Sequence, residues 1–216
     1  DSIIVYSDSL PVVDVKSLFT HARPIFPVYA DGKSGLGPVD ADQDPGFDKL
    51  IIDERPGIQH AMRLLAGCRC KSMVWLAGAE DTHANQDRQR VIVEFAEEFG
   101  IKVTATIPGN FSYDRAREEV RAHFRSHAPA HALFAANDVS AFGAMDALRY
   151  DLGLSVPKDV KVVGYDNISQ SAWKSYDLTT VGVDMEGRVR ALVRLIRNRV
   201  KDRDAPPLFE RLESSL

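Results

Sequence analysis

Long apolar runs are the first feature that the sequence lacks. No stretch of about 18 or more consecutive apolar residues occurs, so no segment is a candidate for a transmembrane helix. The first residues, Asp-Ser-Ile-Ile-Val, have neither the basic start nor the small-residue cleavage site of a signal peptide. With 44% hydrophobic and 27% charged residues, the 216 residues can bury a sizeable core. We expect a cytoplasmic protein without a membrane partner, folded as one large domain or two small lobes.

The sequence also has few cysteines and a small net charge. The only two cysteines, Cys68 and Cys70, form a Cys-x-Cys pair without the further ligands that a zinc site needs. They are typical of structural thiols in a reducing compartment rather than of a disulfide framework. The net charge of −4 argues against a basic surface that would neutralise nucleic-acid phosphates. Any contact with DNA must therefore come from residues outside this sequence.

The short motifs of several enzyme classes are absent. The sequence contains no Gly-x-Ser-x-Gly, no P-loop, no Gly-x-Gly-x-x-Gly after its first strand and no His-Glu-x-x-His. His123, His127 and His131 recur every four residues, which leaves a metal site as an alternative, but Pro129 interrupts the helix that would align them. We therefore expect no enzyme activity, no metal and no cofactor.

Strands and helices alternate along the chain. Short apolar runs rich in Val and Ile are separated by segments with helical periodicity, a pattern typical of βαβ units. The sequence therefore predicts an α/β fold with parallel sheets flanked by helices. The predicted strands are Ile3–Tyr6, Ile25–Ala30, Leu50–Ile52, Met73–Ala77, Val103–Ile107, Ala132–Ala135 and Val160–Val163.

The clearest helix is predicted from about Asp184 to Val200. Its apolar residues form one stripe, and its five arginines fall mostly off that stripe. An arginine run placed in this way is typical of a solvated helix face rather than of a nucleic-acid interface. The stripe consists of Met185, Val189, Leu192, Val193, Ile196 and Val200.

One long segment, residues 31–48, departs from the alternation and is rich in Gly, Pro and Asp. It predicts a loop. Asp40, Asp42 and Asp44 match the first ligand spacings of a calcium-binding EF-hand loop, but Pro45 stands where that loop needs its turn glycine. A solvated acidic loop is therefore the favoured interpretation, and a calcium site is the alternative.

Polar residues follow most of the predicted strands. Ligands of open α/β sheets bind at the carboxyl ends of the strands, where Asp31, Asn137 and Asp166 stand. Arg90 near a helix start adds a fork of donors, and Phe111 offers an aromatic face. Such a set suits a polyhydroxylated ligand, because carboxylates, amides and guanidinium groups bind vicinal hydroxyls. The local alternative for the Asn and Asp residues is a helix cap or a turn.

Residues 132–181 carry a more specific pattern. They combine a strand ending in Ala-Asn-Asp, a helix with Phe-Gly-Ala-Met, a Val-Pro-x-Asp-Val turn, a Gly-Tyr-Asp strand end and a Leu-Thr-Thr-Val segment. This combination resembles the C-terminal signature of LacI/GalR-type transcriptional regulators. Upstream, residues 47–54, residues 74–78 and the pair Arg88 and Arg90 continue the resemblance more loosely, so it covers essentially the whole chain.

The resemblance implies a two-lobed, type I periplasmic-binding-protein-like fold with three inter-lobe crossings. One lobe, incomplete at its N-terminal side, would comprise residues 1–52 and 184–205, and the other residues 53–183 and 206–216. A small, sugar-like effector would bind between them. The helix-turn-helix domain that such regulators use to bind DNA is not in this sequence, so a truncated chain is expected.

The resemblance also carries the family's effector contacts onto six positions. Phe111 would be the stacking aromatic, and Gln86 stands where the family often has a small hydroxyl residue. The six positions are Asp31, Gln86, Arg90, Phe111, Asn137 and Asp166.

The implied function is effector sensing coupled to operator binding, in a homodimer that contacts DNA through the missing helix-turn-helix domain. The alternative is a solute-binding protein of a transport or chemosensory system, which shares the two-lobed fold but needs a signal peptide for export.

Overall fold

The computed structural model describes residues 25–30, 48–80 and 82–216. The predicted strand at residues 3–6 and the acidic segment with its alternative calcium site, residues 31–47, lie outside the described residues. From the N-terminal side, the described elements are β1 (Ile25–Ala30), β2 (Asp48–Asp53), α1 (Arg55–Gly67), β3 (Ser72–Ala77), α2 (His83–Glu98), β4 (Lys102–Pro108), α3 (Tyr113–Ser126), β5 (Ala132–Ala135), α4 (Asp138–Asp146), a π-helical turn (Ala147–Asp151), β6 (Lys161–Tyr165), a 3-10 turn (Ser169–Ala172), β7 (Thr179–Val181), α5 (Met185–Lys201) and β8 (Phe209–Glu213).

The chain divides into two compact units. The described part of the first unit consists of residues 25–30, 48–56 and 183–214, and that of the second of residues 57–80, 82–182, 215 and 216. The chain passes from one unit to the other three times, after Pro56, Gly182 and Ser214.

The second unit contains a five-stranded sheet in the order β4-β3-β5-β6-β7, and all of its pairings are parallel. Successive side chains of a strand point to opposite faces. Met73 and Trp75 of β3 accordingly belong to one hydrophobic core, while Val74 and Leu76 belong to another. Both faces of the central strands are therefore covered, which explains the continuous apolar runs of β3 and β5, whereas the edge strand β4 is mostly exposed or half-buried.

Two pairs of helices pack against the two faces of this sheet. On the face of Trp75, α1 contributes Ile58 and Met62 and α2 contributes Val91 and Phe95. On the opposite face, α3 and α4 contribute Val120, Phe124, Ala141 and Met145. The expected α/β fold of parallel sheets flanked by helices is confirmed.

The first unit contains a parallel sheet in the order β1-β2-β8. Leu192 and Leu195 of α5 pack against Leu50 of β2. Since β8 pairs with β2, residues 209–213 belong to this unit, whereas the resemblance had placed residues 206–216 in the other lobe. The backbone groups of a buried strand need hydrogen-bond partners, and β8 supplies them along one edge of β2.

The buried face of α5 differs from the predicted apolar stripe. Leu192 is buried as expected, but Met185 and Val200 are more than half exposed. Arg199, which was expected on a solvated face, is buried because it forms an ion pair with Asp48. The buried positions of the helix are Ala191, Leu192, Leu195 and Arg199.

Within residues 25–30, 48–80 and 82–216, no helix combines the length and the apolar character needed to cross a bilayer.

Candidate functional site

The carboxyl ends of the five parallel strands in the second unit meet at one edge of the sheet, and five of the six predicted site residues follow these ends. Phe111 lies beyond β4, Asn137 follows β5, and Asp166 directly follows β6. Gln86 and Arg90 lie on α2, the helix that follows β3. Phe111, Asn137 and Asp166 therefore follow strand ends at the edge where ligands of open α/β sheets bind, whereas Gln86 and Arg90 lie within α2. Asp31, the sixth, lies outside the described residues.

Asn137 is the N-cap of α4. Its side-chain Oδ1 accepts a hydrogen bond of 2.9 Å from the backbone N–H of Ser140, and the residue is half-buried. The local interpretation offered by the sequence, a helix cap, is therefore correct for this residue. The cap uses the amide oxygen and fixes the direction of the side chain at the end of β5.

Asp166 and Asn167 form a tight turn after β6. Their φ angles are +112° and +53°, in a region that residues with a Cβ rarely adopt, although Asn and Asp tolerate it best. The N–H of Asp166 donates to the carbonyl of Val181 (2.8 Å), and the N–H of Asn167 donates to the hydroxyl of Thr180 (3.3 Å). These bonds tie the turn to β7 and leave the side chain of Asp166 exposed.

Phe111 lies in a second turn of this kind. Asn110 and Phe111 have φ angles of +52° and +55°. The ring of Phe111 packs against Gly78 at the end of β3, and it is partly buried at the margin of the core that contains Trp75. An aromatic side chain thus stands at the same edge of the sheet as Asn137.

Two arginines of α2 point in nearly opposite directions, as residues two apart on a helix do. Arg88 is buried, its Nη1 donates to the carbonyl of Ala136 (2.5 Å), and its guanidinium lies 3.5 Å from the centroid of the Tyr165 ring. The side chain of Arg90 is 54% exposed and forms an ion pair with Asp87 (2.9 Å). Arg88 therefore joins the ends of β5 and β6, whereas Arg90 lies on the outer side of the helix.

Arg88 was not among the predicted site residues, since the resemblance points to Arg90. Helical periodicity offers a signal: Arg88 shares the face of Val91 and Phe95, which is turned toward the core. The other α2 candidate, Gln86, is exposed, and its Nε2 donates to the carbonyl of Glu80 (3.1 Å).

Replacing Arg88 with methionine is expected to lower the free energy of unfolding by about 1–2 kcal/mol, because it removes the hydrogen bond to Ala136 and the contact with the Tyr165 ring. The matched control is Arg90→Met, for which a change below roughly 0.5 kcal/mol is expected because its ion pair is exposed. Urea denaturation of both variants tests this. Equal losses would contradict the distinct placements of the two arginines.

Asp138 is a second residue that the site prediction missed. It is fully buried in the first turn of α4, directly after Asn137. Burial raises the pKa of its carboxyl from 3.8 to about 6, and hydrogen bonds from the Thr180 side chain and from nearby backbone groups oppose this rise. The sequence shows this aspartate in the Ala-Asn-Asp pattern, but it does not show that the side chain is buried.

The histidines and cysteines that the structure describes do not form a common metal site. The rings of His123 and His127 stack at 4.4 Å, while the Nδ1 of His131 lies 2.8 Å from the hydroxyl of Ser72. Burial, followed by the charge of His127, lowers the pKa of His123. Cys68 and Cys70 are free thiols, and burial raises the pKa of Cys70. Among the residues that the structure describes, no three His, Cys, Asp or Glu side chains form a group that could hold a metal.

The parallel sheet with polar residues after its strands, and the three passages of the chain between two units, define the class of protein: an α/β ligand-binding domain of the periplasmic-binding-protein type. The particular family follows from the sequence. Residues 62–215 match the family described as the periplasmic binding protein-like domain, and the chain belongs to this family.

Known proteins similar to this chain are transcriptional regulators. The HTH-type transcriptional repressor MelR of Bacillus subtilis (strain 168) is 29% identical over 173 residues, which make up 76% of this chain and 50% of MelR. This sequence match confirms the resemblance to LacI/GalR-type regulators. The chain thus spans about half the length of this relative.

Two solved structures are similar in fold. The transcriptional regulator CelR in complex with cellobiose has a TM-score of 0.80 at 22% identity, over 99% of this chain and 63% of that chain. The lac repressor dimer bound to operator and the anti-inducer ONPF has a TM-score of 0.77 at 21% identity, over 99% of this chain and 70% of that chain. At these identities the likeness establishes the fold.

Proposed function

We propose that this chain is the effector-sensing domain of a LacI-type transcriptional regulator and that it binds a small, sugar-like effector. The observation that carries the proposal is the placement of Phe111, Asn137 and Asp166 after three strands of one parallel sheet, at the edge where such sheets bind ligands. The family and the regulator MelR support the same assignment.

The chemistry of this edge suits a carbohydrate. The exposed carboxylate of Asp166 can accept hydrogen bonds from two hydroxyl groups, and the amide of Asn137 and the guanidinium of Arg90 can donate to ring or hydroxyl oxygens. The ring of Phe111 offers an apolar face to the C–H side of a sugar. CelR, a structural neighbour, was solved with cellobiose, which supports this class of ligand.

Regulation, rather than transport, is the role that the similar proteins favour. MelR is an HTH-type repressor, and the lac repressor structure is a dimer on operator DNA. We therefore propose that the whole protein acts in the cytoplasm as a homodimer, contacts operator DNA through a helix-turn-helix domain, and has no catalytic activity. These similar proteins do not favour the alternative, a solute-binding protein.

Coupling between effector and operator needs only a modest free energy. An effector that binds one conformational state better than another shifts the population toward that state, and the same factor changes the affinity for DNA. Coupling free energies of about 1–3 kcal/mol alter affinity roughly 5- to 150-fold. Such a range is sufficient for a transcriptional switch.

The test is a ligand screen of the full-length protein by thermal shift, followed by isothermal titration calorimetry. The panel contains cellobiose, ribose, other mono- and disaccharides, sugar phosphates, nucleosides and purines. We expect a sugar to raise the melting temperature, because a ligand that binds the folded state stabilises it. Asp166→Ala should weaken binding of that sugar roughly 10-fold or more, since hydrogen bonds to a charged group contribute about 1.5–3 kcal/mol.

Glu97→Ala is the matched control, because Glu97 is an exposed carboxylate near the C-terminal end of α2, away from the site edge. It should leave the dissociation constant within about two-fold of the wild type, the range expected for a remote exposed charge. Equal effects of the two substitutions would show that the site lies elsewhere. A purine or nucleoside as the sole ligand would refute the sugar-like class.

A further inference from the structure

A buried hydrogen-bond network lies beneath the turn that carries Asp166. The Oδ1 of Asp138 accepts a hydrogen bond of 2.5 Å from the hydroxyl of Thr180, and its Oδ2 accepts one of 2.9 Å from the backbone N–H of Ile168. The hydroxyl of Thr180 in turn accepts from the backbone N–H of Asn167. A single carboxylate thereby joins the start of α4 to β7 and to the two residues that follow Asp166.

The backbone of β6 is shaped to admit this carboxylate. A Cβ at Gly164 would overlap the Oδ1 of Asp138 and would lie 2.8 Å from the Cδ2 of Leu178. Glycine is therefore required for the close approach of Asp138 to the strand. A carboxylate that only interacted favourably with the N-terminus of α4 would not need contacts with β6, β7 and the turn.

The turn itself needs such an anchor. Asp166 and Asn167 both have positive φ angles, and holding residues in sparsely populated conformations costs of order 1–3 kcal/mol each. The two backbone N–H groups directly after Asp166 donate to Thr180 and Asp138. These bonds offset the cost and select the conformation in which the side chain of Asp166 stands exposed at the sheet edge.

We infer that Asp138 is a positioning residue of the effector site: acting with Thr180, it fixes the turn that presents Asp166 next to the strand end that carries Asn137. This inference rests on the proposed function. Asp138 is fully buried and acts on the effector through the turn. Asn137 and Asp138 are neighbours in the chain. The anchor formed by Asp138 therefore also fixes the position of Asp166 relative to Asn137.

Substitutions of Thr180 test the inference most directly. Thr180→Val keeps the shape of the side chain but removes the hydroxyl that donates to Asp138 and accepts from Asn167. Thr180→Ser keeps the hydroxyl and is the matched control. Asp138→Asn replaces one acceptor with a donor, so either Thr180 or the N–H of Ile168 loses its acceptor.

The first measurement is amide hydrogen exchange in the full-length protein without any sugar. In Thr180→Val, the amide of Asn167 loses its acceptor and should exchange at least about 10-fold faster. In Asp138→Asn, either the amide of Ile168 or the hydroxyl of Thr180 loses its acceptor, so the amide of Ile168 or that of Asn167 should exchange faster by a similar factor. The amides of the buried strand β5 should keep the rates of the wild type, and Thr180→Ser should resemble the wild type throughout. Unchanged protection at both Asn167 and Ile168 in Thr180→Val and Asp138→Asn would overturn the inference.

The second measurement is calorimetric titration with cellobiose, and with any other sugar that stabilises the wild type in the screen. Thr180→Val should raise the dissociation constant about 10-fold or more, as expected for a lost charge-assisted hydrogen bond. Thr180→Ser should bind within about two-fold of the wild type. Faster exchange with an unchanged dissociation constant would assign Asp138 a purely structural role and refute the inference.

The two measurements separate the inference from the proposal on which it rests. If no sugar binds the wild type, the proposed effector class fails, and hydrogen exchange alone then decides whether Asp138 fixes the turn. If a sugar binds and Asp166→Ala weakens it while Thr180→Val does not, the proposed function stands and the positioning role of Asp138 fails.

Discussion

Asp48→Ala should lower the free energy of unfolding of the first unit by about 3–5 kcal/mol, the loss expected when one partner of a buried ion pair is removed. Asp48 is fully buried and Arg199 is 5% exposed. The guanidinium of Arg199 donates to both carboxylate oxygens, at 3.0 Å through Nε and at 2.6 Å through Nη2. Alanine would leave this guanidinium charged and buried without its carboxylate.

Arg199 and Asp48 also organise the chain that leads into β8. Arg199 donates to the carbonyl oxygens of Arg203, Ala205 and Pro206. Asp48 accepts from the N–H of Leu208 at 2.9 Å. The segment between α5 and β8 is therefore held by the pair, and its loss should also weaken the pairing of β8 with β2.

Denaturation by urea, followed with two signals, measures the effect. The only two tryptophans, Trp75 and Trp173, both lie in the second unit, so their fluorescence reports that unit, whereas circular dichroism reports both. We expect a destabilised phase in circular dichroism that tryptophan fluorescence lacks. If the two units unfold in separate transitions, each transition has to be analysed with its own free energy of unfolding.

Arg194→Ala is the matched control for Asp48→Ala. Arg194 lies on the same helix as Arg199 and forms a bidentate ion pair with Glu210 of β8, but its side chain is 53% exposed. An exposed pair contributes about 0–1 kcal/mol, so a small loss is expected. If Asp48→Ala were no more harmful than Arg194→Ala, the buried pair would not be what holds this unit together.

The strands were predictable because their physical cause is local in sequence. A strand covered on both faces is mostly apolar, and residues 73–77 of β3 and 132–135 of β5 are apolar throughout. The order of strands and helices then requires parallel pairing, and the carboxyl edge of the sheet follows from that pairing. Asn137 and Asp166 could be placed at this edge from the sequence alone.

The long-range polar contacts were not predictable in this way. Arg199 was assigned to a solvated face because periodicity weighs the hydropathy of a residue and ignores partners 151 positions away, such as Asp48. Asp138 was passed over for the same reason, since its partner Thr180 lies 42 positions later. Residues whose burial depends on one distant counterpart carry no periodic signal.

The choice between Arg88 and Arg90 shows a different limit of predicting site residues from the sequence. The resemblance favoured Arg90, whereas the buried guanidinium that reaches the ends of β5 and β6 belongs to Arg88. Both assignments are compatible, since Arg88 can support the strand ends from beneath while Arg90 remains exposed for a ligand. Direct contacts to a ligand come from exposed groups, and buried groups fix the backbone that presents them.

Gly143→Ala should lower the free energy of unfolding of the second unit by about 3 kcal/mol, at the upper end of the usual cost of overpacking. A Cβ at Gly143 would overlap the backbone carbonyl oxygen of Tyr113 and would lie 3.2 Å from the backbone N of Arg117. The obstacle is the backbone of α3, so no side-chain rotation can relieve it. The loss exceeds the roughly 1 kcal/mol that alanine gains over glycine in a helix.

The contact between α3 and α4 cannot easily open to make room. The hydroxyl of Tyr113 donates to the carboxylate of Asp146 at 2.6 Å, and this bond raises the pKa of Tyr113 to about 12. Relief must therefore come from a shift of α4 as a whole. Because α4 begins at Asn137 and Asp138, the same substitution should also weaken binding of the sugar found in the screen.

Tryptophan fluorescence during urea denaturation measures the stability of this unit, and calorimetric titration measures the binding. Gly67→Ala is the matched control, because Gly67 is an exposed helical glycine where an added Cβ would meet no atom within 4 Å, and the substitution should be neutral or slightly stabilising. A Gly143→Ala variant as stable as Gly67→Ala would mean that α3 and α4 pack less closely than these distances require. A destabilised variant with unchanged sugar affinity would show instead that α4 shifts without moving the site, so that Asp138 and Thr180 hold the strand ends independently of the helix packing.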